Sequence, residues 1–85
     1  MNIDLSQRAK EDIAYWNRVD PSKTEKIERL LANALRTPYS GLGKPEALKH
    51  GLSGYWSRRI DREHRLVYKV AGDTLYVASC RFHYQ

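Results

Sequence analysis

Apolar positions recur along this chain with two different periods, and the change from one to the other lays out the fold. Asn2-Ile3-Asp4-Leu5 alternates polar with apolar before Ser6, which predicts a short strand running into a helix N-cap. From Gln7 to Val19, the residues Ala9, Ile13 and Trp16 fall four and three positions apart and form one stripe on a helix. Asp20-Pro21 restarts the chain, the aspartate as N-cap and the proline as first helical residue. A second helix from Pro21 to Arg36 carries Ile27, Leu30, Leu31, Ala34 and Leu35 at i, i+3, i+4, i+7 and i+8, and Thr37-Pro38 ends it.

Between Pro38 and Gly54 the periodicity stops. Four glycines and two prolines predict a loop, with one helical turn around Pro45 to Lys49. Loops of this kind carry function more often than packing. Period two then returns in three runs, Tyr55 to Ile60, Arg65 to Val70 and Thr74 to Cys80, separated by Asp61-Arg62-Glu63 and Ala71-Gly72-Asp73, both short enough for hairpins. The order β-α-α-β-β-β predicts an α+β fold: a twisted antiparallel sheet with two helices packed on one face and the other face partly open. With a three-residue loop at 61–63, Ile60 faces His64 and Arg59 faces Arg65, while Leu66, Tyr68 and Val70 point towards the helices. Like charges placed opposite each other cost stability, and an anion bound between the two guanidiniums would remove that cost.

Length and charge narrow the class. Eighty-five residues bury only about 60 to 65% of the unfolded surface and support one core, so residues 1–85 are read as one domain. The net charge of +5 is uneven, with seven Lys/Arg against six Asp/Glu in residues 1–42 and eight against four in residues 43–85. A basic balance favours an anionic partner without choosing among nucleic acid, an acidic membrane surface and an acidic protein. The lone Cys80 lies in an apolar run, which predicts a buried free thiol and suits a reducing cytoplasm. No run approaches the roughly 18 apolar residues of a membrane span, and no signal-peptide core follows Met1, so a soluble cytoplasmic protein is expected.

The stretch from Gly43 to Val70 concentrates the chemistry. Lys44, Lys49, Arg58, Arg59, Arg62, Arg65 and Lys69 stand against Glu46, Asp61 and Glu63, interleaved with Tyr55, Trp56 and Tyr68, as a phosphate-and-base polymer would require. Cutting RNA without a metal takes a base for the 2′-hydroxyl, an acid for the departing 5′-oxygen and cations on the phosphate. Glu46 is the candidate base, His83 the candidate acid, and Arg65 with Arg59 and Lys49 the candidate clamp. The products would be a 2′,3′-cyclic phosphate or its 3′-phosphate hydrolysis product, and a 5′-hydroxyl. His50, His64 and His83 show no metal-ligand spacing, one cysteine builds no zinc site, and no P-loop, dinucleotide fingerprint or nucleophile elbow is present, so no metal or cofactor is expected. Plainer readings stand beside these. Glu46 suits a solvated loop, His50 a loop, His64 a structural or surface position and His83 an ordered terminus; Arg58 suits pairing with an acid, and the three aromatics suit sheet packing. Tyr84 has no evident core to fill, which favours contact with a ligand.

Gly43-Lys44-Pro45-Glu46, Leu48-Lys49, Leu52-Ser53-Gly54, Trp56-Ser57-Arg58-Arg59-Ile60, Glu63-His64-Arg65-Leu66-Val67-Tyr68 and Cys80-Arg81-Phe82-His83-Tyr84 occur in this order. With Tyr15-Trp16 and Arg36-Thr37-Pro38, the chain resembles end to end the YoeB/Txe toxins of bacterial type II toxin–antitoxin systems, within the RelE/ParE superfamily. The resemblance implies a RelE-like fold with a microbial-ribonuclease-like sheet and a ribosome-dependent mRNA endoribonuclease that inhibits translation. It also implies a YefM-type antitoxin folding across the active face, and homodimers. It puts the base on Glu46, the phosphate-binding arginine on Arg65, the acid on His83 and the terminal tyrosine on Tyr84, with Lys49 and Arg59 as basic residues of the site. Relatives commonly end at that tyrosine, whereas Gln85 follows it here, and Ala47 replaces a frequent proline. Two other readings remain: a gyrase-targeting ParE-like toxin, against which Glu46 and His83 speak, and a non-catalytic RNA-binding module on the same basic face.

Overall fold

The computed structural model describes residues 1–82. Strand β1 (Asn2–Leu5) leads into helices α1 (Gln7–Val19) and α2 (Pro21–Arg36), followed by β2 (Glu46–Ala47), a single 3₁₀ turn (His50–Leu52), and strands β3 (Trp56–Arg59), β4 (Arg65–Ala71) and β5 (Thr74–Ser79). The helices begin where their caps require. The Ser6 hydroxyl accepts from the Ala9 N–H at 3.0 Å and donates to the Ala78 carbonyl at 2.7 Å, so the cap of α1 is also pinned to β5. Asp20 accepts from the Ser22 N–H, Pro21 opens α2, and the Asp20 N–H closes α1 on the Trp16 carbonyl.

The sheet has five strands in the order β1-β5-β4-β3-β2. β3, β4 and β5 form the expected antiparallel meander, and Arg59 pairs with Arg65 as the hairpin loop at 61–63 requires. Two features differ from the expectation. β1 joins β5 in parallel, Ile3 beside Leu75, which makes the sheet mixed. Alternation in a four-residue strand tells which residues share a face; it carries nothing about which edge the strand will join, or in which direction. The turn expected around Pro45 to Lys49 is instead β2, two residues paired with Ser57 and Trp56, with the helical turn displaced to His50–Leu52. An edge strand beside β3 satisfies the backbone of Glu46 and Ala47, which a lone turn would leave to water.

Both helices cover one face. Ala9 and Trp16 of α1 and Ile27, Leu30 and Ala34 of α2 pack on Leu66 and Tyr68 of β4, Leu75 and Val77 of β5, and the flanking Ile60 and Cys80. Val70, Ile13, Leu31 and Leu35 complete this core as half-buried neighbours. Register assigns the other residues of each strand to the face away from the helices: Glu46 opposite Ser57, Ser57 opposite Val67, Arg59 opposite Arg65, and Lys69 opposite Tyr76. Ser57 and Val67 are buried there, while Glu46 and Arg59 are exposed. A bulge between Val67 and Tyr68 leaves Ala78 without a partner on β4, so that Ser79 meets Val67 and Cys80 returns to the core.

Candidate functional site

Glu46, Arg59 and Arg65 share the face away from the helices. Glu46 lies on β2 at the sheet edge, two strands from β4, and Arg65 lies two residues along β4 from Val67, the residue in line with Glu46. Strand spacing and rise put the Glu46 and Arg65 backbones roughly 12 Å apart, a gap that a ribose–phosphate unit spans between two side chains. Lys49 and His50 follow Glu46 around an exposed groove of about 210 Å³ that they line with Ala47 and Leu48. Arg59 is exposed. Its partner across the ladder avoids it: Nη1 of Arg65 donates to the carbonyls of Asp61 at 2.9 Å, His64 at 3.1 Å and Arg62 at 3.3 Å. Carbonyl dipoles of the hairpin thus hold one cation while the other reaches into solvent, which lowers the repulsion predicted from the sequence. Among the described residues, no three His, Cys, Asp or Glu side chains come together where a metal ion could be held.

The hairpin loop is built around Asp61. Its Oδ1 accepts from the N–H groups of Glu63 at 2.8 Å and His64 at 2.7 Å, and its Oδ2 pairs with Lys23 Nζ of α2 at 2.9 Å. Partial burial works against the ionised carboxyl, but the Lys23 and backbone hydrogen bonds outweigh it and hold its pKa down to about 2. The same contact raises the pKa of Lys23.

The loop before Glu46 hangs on a residue that the sequence placed among the phosphate-binding cations. Arg58 is fully buried, on the helix face, and among the described residues no acid is its partner. Nε donates to the Tyr68 hydroxyl at 2.9 Å; Nη1 donates to Asn33 Oδ1 at 2.7 Å and the Leu42 carbonyl at 3.0 Å; Nη2 donates to the carbonyls of Thr37 at 2.6 Å and Ser40 at 3.0 Å. Tyr68 passes the chain on to the Pro38 carbonyl, and burial pushes its pKa up, partly offset by Arg58. Gly43 follows, at φ +80°, where a Cβ would fall 2.8 Å from Leu30 Cδ2, so a larger residue there would strain the backbone and crowd the passage between α2 and β3. Its carbonyl accepts from the Arg59 N–H at 2.7 Å, three residues before Glu46. Period two carried the signal: if Arg59 faces Arg65 on the open side, Arg58 must face inward.

Of the three aromatics in the basic stretch, Tyr68 is core, and Trp56 stacks near Tyr39 with ring centres 4.8 Å apart. Tyr55 lies beneath the Lys69 ammonium, 5.1 Å from ring centre to Nζ, and both line a hollow of about 460 Å³ with Tyr76 and Asp4.

The end of the described chain is held beside Arg65. The Cys80 N–H donates to Asp12 Oδ2 at 3.0 Å, and the Cys80 carbonyl accepts from Trp16 Nε1 at 2.9 Å. The Arg81 guanidinium lies 3.5 Å from the Tyr15 ring centre, and the Phe82 carbonyl accepts from the Arg65 N–H at 3.0 Å. Asp12 is buried in the stripe between Ala9 and Trp16, so helical spacing marked it, although the sequence reading passed it over. Cys80 is a buried free thiol, its pKa pushed up to about 12 by burial and then by Asp12. His83 and Tyr84 lie outside the described residues.

A carboxylate, two guanidiniums and an ammonium on the helix-free face of a small mixed sheet define a class of compact basic α+β proteins suited to an anionic polymer. The profile of the YoeB-like toxins of bacterial type II toxin-antitoxin systems matches residues 5–84, and the chain belongs to that family. It is 50% identical to Toxin YoeB of Escherichia coli K12 over 84 residues, covering 99% of this chain and 100% of the relative. The YoeB/ParE toxin structure from Agrobacterium tumefaciens superposes with a TM-score of 0.96 at 50% identity, covering 99% of this chain and 100% of that one. The Staphylococcus aureus YoeB dimer superposes at 0.92 with 46% identity, covering 99% and 98%, and that relative has also been solved as a YoeB-YefM complex. The family resemblance read from the sequence is therefore borne out.

Proposed function

We propose that this chain is an endoribonuclease toxin that cuts messenger RNA on the translating ribosome by metal-free acid–base catalysis. One observation carries the reading: β2, β3 and β4 bring Glu46, Arg59 and Arg65 to the same face, away from the helices, with Lys49 beside Glu46. Glu46 takes the proton of the 2′-hydroxyl, the 2′-oxygen attacks phosphorus, and the P–O5′ bond breaks as His83 protonates the leaving oxygen. Arg65, Arg59 and Lys49 offset the charge that builds on the phosphoryl oxygens, and Tyr84, the residue after His83 in the chain, is the tyrosine of the family's site. The family and the Staphylococcus aureus structures support a homodimer and a YefM-type antitoxin as partners.

The test is single-turnover cleavage of a defined mRNA in a translation extract, with and without ribosomes. Glu46→Ala, Arg65→Ala and His83→Ala should each slow cleavage by about 10² to 10⁴ and leave products with 5′-hydroxyl ends. Unchanged cleavage by all three variants, or 5′-phosphate ends, would overturn the mechanism.

A further inference from the structure

We propose that His64 is a positioning residue for the reaction proposed above, and the inference rests on that reading. Its Nδ1 accepts the N–H of Phe82 at 2.7 Å, while the next residue of β4, Arg65, donates its own N–H to the Phe82 carbonyl at 3.0 Å. Both backbone groups of Phe82 are thereby taken by two adjacent residues, and Phe82 immediately precedes His83 in the chain. Phe82 has φ +65°, a left-handed conformation that a non-glycine residue adopts at a cost of about 1 kcal/mol or more. The two bonds hold it there, and they direct the chain out of β5 past Arg65.

The contact demands one tautomer. An N–H at Nδ1 would meet the Phe82 N–H donor to donor, so the imidazole must carry its proton on Nε2. Glu63 Oε1 lies 3.6 Å from Nε2, where a carboxylate favours that proton. The ring itself is fixed: its side chain is 12% exposed, edge-on to Trp16 with centres 4.8 Å apart and tilted against Phe82 at 5.6 Å. Trp16 also binds the Cys80 carbonyl, so one indole supports both the strand end and the imidazole that receives the chain two residues later. His64 touches no reacting atom in this scheme. It sets where the general acid starts from, and displacement of an acid by about 1 Å costs up to roughly 10² in rate.

Two amides separate the acceptor from the ring. In His64→Asn the side-chain oxygen falls near the place of Nδ1, whereas in His64→Gln the amide reaches the place of Nε2; both lose the stacking on Trp16. His64→Asn should keep kcat within about threefold of its wild-type value, and His64→Gln should lower it roughly 10- to 100-fold with KM within about twofold. In ¹⁵N-labelled protein the Phe82 amide should stay protected from exchange in wild type and His64→Asn, and exchange rapidly in His64→Gln. Equal kcat and equal Phe82 protection in the two variants would overturn the proposal, because ring packing alone would then account for the residue. Should the wild-type protein leave RNA intact, the nuclease reading fails, and the Phe82 amide still decides whether His64 holds the chain.

Discussion

The segment that carries the proposed base and the segment that leads to the proposed acid are fastened in opposite ways. Residues 37–43, before Glu46, gather around one buried cation: Arg58 takes oxygens from Asn33, Thr37, Ser40, Leu42 and Tyr68, and Tyr68 and Asn33 in turn bind Pro38 and Leu42 of the same loop. Residues 80–82 are held by a row of separate contacts, in which Asp12, Trp16, His64 and Arg65 each take one backbone group. A hub fails all at once, because its loss leaves several buried acceptors unsatisfied together. A row of single bonds fails one step at a time. The open-face residues can therefore stay exposed and polar while the scaffold behind them holds their backbones in place.

The largest test of this contrast is Arg58→Met, which keeps the volume and removes every donor. It should cost on the order of 4 kcal/mol, read as a lowered urea midpoint, and should mobilise the chain from Thr37 to Glu46. A loss under about 1 kcal/mol would show that the loop does not depend on the hub. Arg58→Lys should recover little, since an ammonium cannot fill a fork of five donors. Next in size, Asp12→Ala leaves the Cys80 N–H unpaired, and Trp16→Phe loses the indole N–H together with part of the buried ring volume; each should cost about 2 kcal/mol. If either equalled Arg58→Met, the terminal segment would be a hub as well.

The hairpin that presents His64 and Arg65 gives the pH test. The folded pKa of Asp61 is depressed from 3.8 to about 2, so its contribution is present above the unfolded value and is lost as the pH falls through the folded one. Unfolding measured between about pH 4 and 2 should show a loss of about 1 to 2 kcal/mol, discounted for partial exposure, that is missing in Asp61→Asn. The smallest effect is at Cys80, whose thiol should resist alkylation in the folded protein at neutral pH and react on addition of denaturant.

Much of this was legible before the fold was seen, and for a common reason. Ile27, Leu30 and Ala34 mark their helix face by spacing alone, and Arg59 meets Arg65 because a three-residue loop leaves one register. Arg58 was legible by the same alternation and was misread, because its charge drew it into the cationic stretch when its position put it inside. His64 was read as structural or surface without a partner, since nothing local to Glu63-His64 shows that Phe82 will arrive beside it.

The order of the letters alone determined both helices with their caps, the three-strand meander, the two faces of the sheet and the family. Each of these depends on neighbours a few positions apart, where the period of the chain dictates geometry. Tertiary structure decided that β1 joins β5 in parallel, that Glu46 sits on an edge strand, and which oxygens receive Arg58. Arg58 meets its partners 10 to 25 positions away, and Cys80 meets Trp16 and Asp12 at separations of 64 and 68. Contacts at such distances follow from how packed elements close on one another, and a hydrogen-bond partner is chosen only once that closure has brought it within about 3 Å.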